Sequence, residues 1–464
     1  MMRLISSEWR RFRHDRGNLV ILLVTAAILI LSGVLAGLDA RERRSEAAAQ
    51  ETARNAVVAK IAGGAGSIGD DQPIKVQPFN INRQAGANVT LALGQGLVLG
   101  ASRFDALTSD TKVAIESRHV DGRRDGGLSN PYLATLGALD HGVIVAVLLP
   151  LVLFALSFGL VNEDREHGIW RFVVSQADGE WRILAAALLI RVLVLSMVEA
   201  VAAGLALGID PGGSLGVLAA WMPDVFAYVL FWGAVAAILI LLTRSSSATM
   251  VAMLGAWIIG IFAVPTVIGE LAKRENPMPS RLASLVEMRG IQQDAEDHAE
   301  ELLSQWYREH ALPEPKTEWP ASTVPRYLSQ DRQYRPMAYR FDVARTRQSD
   351  WMAGWYWLVP NIALLSRAES LAGISPADYQ GYTLRVNQYE DAWRALFVPK
   401  IMRFETLTRR ELMSLPSQTY TPQASQASAG RASGLPPSLP VYLAALALLV
   451  VAFLLRGRLS PASD

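Results

Sequence analysis

The sequence predicts a mainly α-helical, polytopic membrane protein with six transmembrane helices and two large extracytoplasmic inserts. Three observations predict it. Six apolar stretches, 18–38, 142–161, 183–209, 225–243, 248–269 and 438–455, are each long enough to cross a bilayer, and all but the third carry no charged residue. Two polar inserts, 39–141 and 270–437, separate them and make up more than half of the 464 residues. Basic residues cluster before the first stretch and after the last. A helix needs about 20 apolar residues to cross a hydrocarbon core of roughly 30 Å. Only helices and closed barrels satisfy their backbone in lipid, and these unalternating runs exclude a barrel. The competing reading, six buried core helices of a soluble protein, fits such lengths poorly.

Residues 1–17 begin the chain with Arg3, Arg10, Arg11, Arg13 and Arg16 against Glu8 and Asp15. The positive-inside rule assigns this segment to the cytoplasm. Ile5, Trp9 and Phe12 lie at helical spacing among the arginines, the pattern of an amphipathic helix in the membrane interface. The plainer reading is a basic flank that only orients the first span. Residues 18–38 exceed a signal-peptide core and lack a clear small-residue cleavage pattern, so they read as an uncleaved signal anchor.

Threading six spans from a cytoplasmic start leaves 162–182 and 244–247 inside and both inserts outside. The tail 456–464, with Arg456 and Arg458, also falls inside. The first insert opens with a charged, alanine-rich helical segment, 39–62, and turns glycine-rich at Gly63-Gly64-Ala65-Gly66. Extended candidates at 74–79 and 88–93 make it a mixed α/β unit. The second insert reads as mostly helical. Leu282, Leu285, Val286, Ala295, Ala299, Leu302, Leu303 and Trp306 form an apolar stripe through 280–310, and 376–413 is helical again. The Pro-, Ser- and Ala-rich 415–437 reads as a flexible linker into the last span. The chain has no cysteine, so its outer parts fold on apolar cores without disulfides, which fits a bacterial inner membrane.

Several chemistries are excluded. There is no phosphate-cradling G-x-x-x-x-G-K-[ST] loop and no complete dinucleotide fingerprint. The six histidines are scattered, and His298, among Asp294, Asp297, Glu300 and Glu301, lacks paired-histidine geometry and reads as part of a solvated acidic face. No catalytic constellation, metal site or nucleic-acid surface is expected.

The sharpest local signal is Asn162-Glu163-Asp164-Arg165-Glu166-His167-Gly168-Ile169-Trp170-Arg171-Phe172. A charged turn follows a span, then a glycine, then an Ile-Trp-x-Phe cluster, then Ser175-Gln176 before the next span. This is an amphipathic element whose aromatics suit a partner's groove, against the plainer reading of a polar loop with interfacial aromatics.

This order of parts resembles the permease subunits of type-two ABC exporters, whose consensus E-R-E-x-G-T-L stands here as Asp164-Arg165-Glu166-His167-Gly168-Ile169-Trp170. The basic amphipathic N-terminus and the count of six spans fit as well. Leu358-Val359-Pro360-Asn361, Ser375-Pro376-Ala377 and Tyr389-Glu390-Asp391-Ala392-Trp393-Arg394 resemble a subgroup with enlarged periplasmic inserts related to gliding-motility permeases. His167-Gly168-Ile169 departs from the usual x-G-T.

The resemblance implies that Glu163, Asp164, Arg165, Glu166, Gly168, Ile169, Trp170 and Phe172 couple this chain to cytoplasmic ABC ATPase subunits. ATP and magnesium would then sit on the partner, with no cofactor on this chain. It also implies a second copy of the chain, or a related permease, in a multi-pass inner-membrane assembly with both termini cytoplasmic. Membrane lipid surrounds such an assembly, and a periplasmic partner suits inserts of this size. The product would be export or transmission of movement, with no catalytic step on this chain. A rival reading is a membrane-anchored periplasmic binding or sensory protein without ATP coupling.

Arg191 and Glu199 are the intramembrane polar pair. A charge within a span costs several kcal/mol unless paired or wetted. Eight residues apart on one helix, they sit about 12 Å apart along the axis and cannot pair with each other. Arg191 is expected to snorkel to the near interface, and Glu199 to meet a structural partner or a substrate. Pro150 and Pro265 are expected to kink the second and fifth spans. Trp351, Trp355, Tyr356 and Trp357 read as an interfacial anchor, a packing cluster, or a platform for carbohydrate or peptide.

Overall fold

The structure is a computed structural model that describes residues 2–63, 70–84, 88–100, 104, 107–116, 140–175, 179–311, 316–422 and 438–459. The chain begins with α1 (Met2–His14). Asp15 breaks it, and the Asp15 carboxylate accepts the Gly17 amide at 2.8 Å to start α2 (Arg16–Gly63). At about 1.5 Å per residue, α2 runs straight through the first apolar stretch and on into the first insert. The alanine-rich 39–62 is thus the same helix as the first span, favoured there by alanine's high helix propensity.

The first insert continues with α3 (Pro78–Gln84), β1 (Asn88–Leu91) and β2 (Asp110–Lys112). The expected strand at 74–79 is not formed. Residues 78–84 are helical, with Pro78 at the helix start where its missing N–H costs nothing. Next come α4 (His141–Ala155), α5 (Asn162–Glu166), α6 (Trp170–Ser175), α7 (Glu180–Ile209), α8 (Leu215–Leu242) and α9 (Ser246–Ile258). A π-helical turn, Ile259–Ala263, joins α9 to α10 (Val264–Glu275). The second insert supplies α11 (Arg281–Asp297), α12 (Ala299–Glu309), α13 (Val324–Ala353), α14 (Pro360–Ala372), α15 (Pro376–Arg403), α16 (Arg409–Met413) and β3 (Gln418–Tyr420). The chain then enters α17 (Ser438–Leu454).

Among the described residues, five helical segments are long and apolar enough to cross a membrane: Arg16–Ile61, Glu180–Ile209, Leu215–Leu242, Ser246–Glu275 and Ser438–Leu459. The second apolar stretch departs from expectation. Its helix α4 stops at Ala155, and 156–161 proceed in turns. Pro150 is accommodated inside α4.

The bundle is ordered by burial. In α7 and α8, 61% of the most apolar stretch is buried, whereas for α2, the Ser246–Glu275 segment and the Ser438–Leu459 segment it is 17–22%, so α7 and α8 form the centre. Close approach of α2 to α7 depends on glycine. A Cβ at Gly33 or Gly37 would lie 2.7 Å from the Ala202 or Ala206 carbonyl oxygen, well inside contact distance. This is small-residue packing of the kind that holds helices together in lipid.

The described parts of the two inserts share one sheet. Strand order is β2–β1–β3, with β1 antiparallel to β2 and parallel to β3, Val89 opposite Gln418. The segment expected as a linker from 415 thus contributes an edge strand before residue 422; residues 423–437 lie outside the described residues. The Tyr382 hydroxyl donates to the Val89 carbonyl at 2.9 Å and accepts from Thr111 at 2.8 Å. Trp393 Nε1 and the Ile115 amide both donate to Asn82 Oδ1, at 2.8 and 2.9 Å. Helices α13 and α15 are tied by Arg394 and Arg335 on Asp331, with Arg335 also 2.7 Å from Asp391.

The expected 280–310 stripe is only partly a core. Ala295, Leu303 and Trp306 are buried, while Leu282, Leu285 and Val286 are exposed because α11 packs on α13 through Met288 instead. Arg44 on α2 clamps this body to the bundle. Its Nε lies 2.5 Å from Asp210 Oδ1, and its other nitrogens reach the Leu93 and Gly94 carbonyls at 3.0 and 2.6 Å.

Candidate functional site

The charged turn after α4 gathers four separate segments at one end of the bundle. Its geometry begins with Arg191. With α4 ended at Ala155, Arg191 Nε donates to the freed Leu156 carbonyl at 2.6 Å, and Nη1 donates to the Ala187 carbonyl at 2.9 Å. Its guanidinium lies 5.3 Å from the Phe12 ring centroid. Arg191 therefore does not snorkel. It is buried and serves the backbone that the helix break exposes, as a helix end demands.

From there four of the five residues of α5 make a contact with another segment or with one another. Asn162 Nδ2 donates to Thr249 and Thr243 hydroxyls at 2.6 and 3.1 Å, fixing the α8–α9 turn. Asp164 accepts two hydrogen bonds from Arg11 of α1, at 2.8 and 2.9 Å. Arg165 reaches the Arg458 carbonyl at 2.6 Å and the Asn162 side chain at 3.2 Å. Glu166 accepts from the Ser246 amide and hydroxyl at 2.8 and 2.7 Å, covering the start of α9. These Ser246 hydrogen bonds hold the Glu166 carboxyl below its usual range. Glu163 is exposed.

Gly168 ends α5 with φ +70°. The Ile169 amide bonds the Asp164 carbonyl at 2.8 Å and the Gly168 amide bonds Arg165 at 3.0 Å. This pair of bonds around a left-handed residue is a Schellman cap, where a side chain with a Cβ is disfavoured. The glycine of the motif is thereby explained by backbone geometry.

The turn it creates sorts the aromatic cluster. Trp170 is buried, its Nε1 donating to the Leu459 carbonyl at 2.9 Å beneath Arg165. It is not available to a partner's groove, contrary to the reading from sequence, because α6 packs that edge against the end of the last span. Ile169 and Phe172 point outward at 48% and 65% exposure. In α1, Phe12 is buried and Ile5 half-buried, while Trp9 stacks on Phe12 at 6.0 Å and stays 43% exposed. Burial raises the Glu8 carboxyl, against the pull of Arg11 and Arg191.

Glu199 belongs to a different site toward the other end of the bundle. It is fully buried and meets His141 Nε2 at 3.2 Å and Trp221 Nε1 at 3.0 Å. Ser32 Oγ lies 2.8 Å from His141 Nδ1. Four apolar segments thus meet through one polar chain. Sequence reading singled out Glu199 but not His141, Trp221 or Ser32, whose only signal was a polar atom in or beside an apolar run.

The tryptophans 351, 355 and 357 pack on one another at 5.6 and 6.2 Å, and Tyr356 inserts between Ala227 of α8 and Val441 of α17. Among the described residues no group of acidic and histidine side chains could hold a metal ion. His298 is exposed beside Asp294.

A family model described as ABC-2 family transporter protein matches residues 2–304, nearly two-thirds of the chain. A second, described as Domain of unknown function (DUF3526), matches residues 281–421, the greater part of the second insert. No curated protein and no solved structure gives a match.

Proposed function

The chain belongs to the ABC-2 transporter family, a permease subunit of an ABC transporter, and on that premise we propose that it is driven by separate cytoplasmic ATPases through the 162–175 segment. The observation that carries this reading is the division of labour within the segment. Asn162, Asp164, Arg165, Glu166 and Trp170 bind the α8–α9 turn, α1, and the end of the chain. Ile169 and Phe172 are left exposed on the same short element. A push on these two side chains is delivered at once to every helix that ends there. That is what a mechanical coupling face requires, and a loop that merely connected two spans would need none of it.

In this reading α1, 162–175, 243–249 and 455–459 are cytoplasmic, as the arginine bias of the N-terminus requires. The inserts then lie on the outer face of a bacterial inner membrane. ATP and magnesium belong to the partner ATPases, and the working unit contains two permeases, two copies of this chain or one with a related chain. The Arg44–Asp210 clamp and the packing of α14 against α8 and α4 make the outer body move with the helices. Export and transmission of movement to a periplasmic partner both follow from that linkage.

The test is co-purification from native membranes followed by an ATPase assay. A nucleotide-binding subunit should co-purify, and Phe172→Ala, Ile169→Ala and Glu163→Lys should lower its transport-coupled hydrolysis without unfolding the permease. Absence of any such subunit, with full function retained in all three variants, would overturn the reading.

A further inference from the structure

The apolar stripe through 280–310 divides between two surfaces, and packing within the fold uses only one of them. Ala295, Leu303 and Trp306 are buried, and Met288 and Ile291 of α11 pack on Tyr334 and Met337 of α13. Leu282, Leu285 and Val286, at the start of α11, stand 73%, 50% and 65% exposed, and Met278 just before them is exposed as well. Spacing of i, i+3 and i+4 sets side chains beside one another on one helix face, so these residues form a patch. The stripe turns polar as α11 runs on, its next positions being Arg289 and Gln293. Its unpacked apolar part is therefore confined to the turns of α11 nearest the Ser246–Glu275 helix.

That helix has 17% of its most apolar stretch buried, and Ile258, Phe262, Val267 and Leu271 face outward along it. At 1.5 Å per residue its length is about 45 Å, which matches a bilayer with its headgroups. Only residues 276–280 separate it from α11, and the Asn276 carbonyl is held by Gln348 of α13 at 2.7 Å, so α11 starts at the headgroup level. The charges suit that level. Glu270 is taken by Lys273 at 2.7 Å and Glu287 by Arg340 at 3.1 Å. Arg274, Arg281 and Arg289 are exposed and pair with no carboxylate among the described residues, while Glu275 is the acidic side chain left beside them. The patch is thus apolar at its centre and basic at its rim, complementary to acyl chains beneath anionic phosphates. A second copy of the chain fits it less well, because a two-fold contact would bring one arginine rim against the other. We propose that the first turns of α11 seat Met278, Leu282, Leu285 and Val286 in a phospholipid surface, with Arg274, Arg281 and Arg289 on its phosphates. The second insert is then anchored to the bilayer beside the fifth span. The proposal rests on the Ser246–Glu275 helix crossing the membrane and is independent of ATP coupling.

The chain has no cysteine, so a single introduced thiol can be labelled without background. Leu282→Cys, Val286→Cys and, farther along the same stripe, Gln293→Cys would each carry a polarity-sensitive fluorophore. All three positions are exposed, so the label need not disturb the fold. The full-length protein is reconstituted in vesicles of phosphatidylethanolamine with phosphatidylglycerol. The labels at 282 and 286 should show blue-shifted emission, quenching by phospholipids spin-labelled near the headgroup, and shelter from iodide, while the label at 293 stays open to iodide. Combining Arg281→Glu with Arg289→Glu should weaken the lipid quenching, and so should replacing phosphatidylglycerol by phosphatidylcholine. Equal iodide quenching at the three positions, or lipid quenching indifferent to both charge changes, would overturn the proposal. Efficient disulfide-linked dimers of unlabelled Val286→Cys would overturn it too, assigning the patch to a second copy.

Discussion

The Asn361 side-chain amide donates to the main-chain carbonyl of Ile261 at 3.3 Å. Ile261 stands four residues before Pro265, in the π-helical turn Ile259–Ala263. Proline has no N–H, so the carbonyl four residues earlier loses its helical partner. Asn361, at the start of α14, supplies the missing donor from the second insert. The expected consequence of Pro265 is therefore a π turn with a side-chain replacement.

Asn361→Leu should destabilise the protein by about 1–3 kcal/mol, the cost of a buried carbonyl left unpaired. In a Pro265→Ala background the carbonyl regains a backbone donor, and the same substitution should cost much less. Denaturation of the four proteins in a double-mutant cycle measures the coupling. Equal costs in both backgrounds would show that Asn361 does not serve that carbonyl.

Trp170 and Phe172 should separate stability from coupling. Trp170→Ala removes a buried indole and its bond to Leu459, at a cost of about 3–5 kcal/mol. Phe172→Ala touches an exposed side chain and should stay within about 0.5 kcal/mol. The unfolding midpoint reports the first effect. ATP hydrolysis by the reconstituted complex reports the second, with the larger loss per unit of stability expected for Phe172→Ala.

Asp210→Ala leaves Arg44, largely enclosed, without its carboxylate. Removing one partner of such a pair costs about 3–5 kcal/mol. Because Arg44 also holds the Leu93 and Gly94 carbonyls, limited proteolysis should cut the first insert sooner in the variant. An unchanged digestion pattern would show that the clamp does not hold that insert.

Glu166 predicts an acid-sensitive contact. Its carboxyl is held below the ordinary glutamate value of 4.5 by Ser246. The stability it contributes is present above that value and is lost as pH falls through the lower folded one. The protection factor for hydrogen exchange at the start of α9, taken against the intrinsic rate at each pH, should fall below about pH 4.5 in the wild type, and Glu166→Gln should already show lower protection at neutral pH. Exchange insensitive to both changes would remove the capping role.

The apolar runs, the α1 pattern and the charged turn at 162–172 were legible because each is a local property. Arg191 was misread for a specific reason. The run 142–161 is uninterrupted in hydropathy, so nothing in it marks the end of α4 at Ala155, and the Leu156 carbonyl that Arg191 serves is invisible beforehand. Trp170 and Phe172 are both large and apolar, two residues apart, and only the Gly168 turn decides which one is buried. The pairing of 88–91 with 418–420 joins strands separated by over three hundred residues, and a three-residue edge strand in a Pro- and Ser-rich stretch carries little pattern of its own.

By itself the sequence determined that this chain carries several helices apolar enough to cross a membrane, because the cost of crossing a bilayer sums over contiguous residues. The tertiary structure decided which polar groups meet. Ser32, His141, Glu199 and Trp221 come from four separate segments, and Asn361 finds Ile261 a hundred residues away. Each is a buried polar group that must find a partner, and in a folded bundle that partner is set by which helices touch, which no single stretch of sequence encodes.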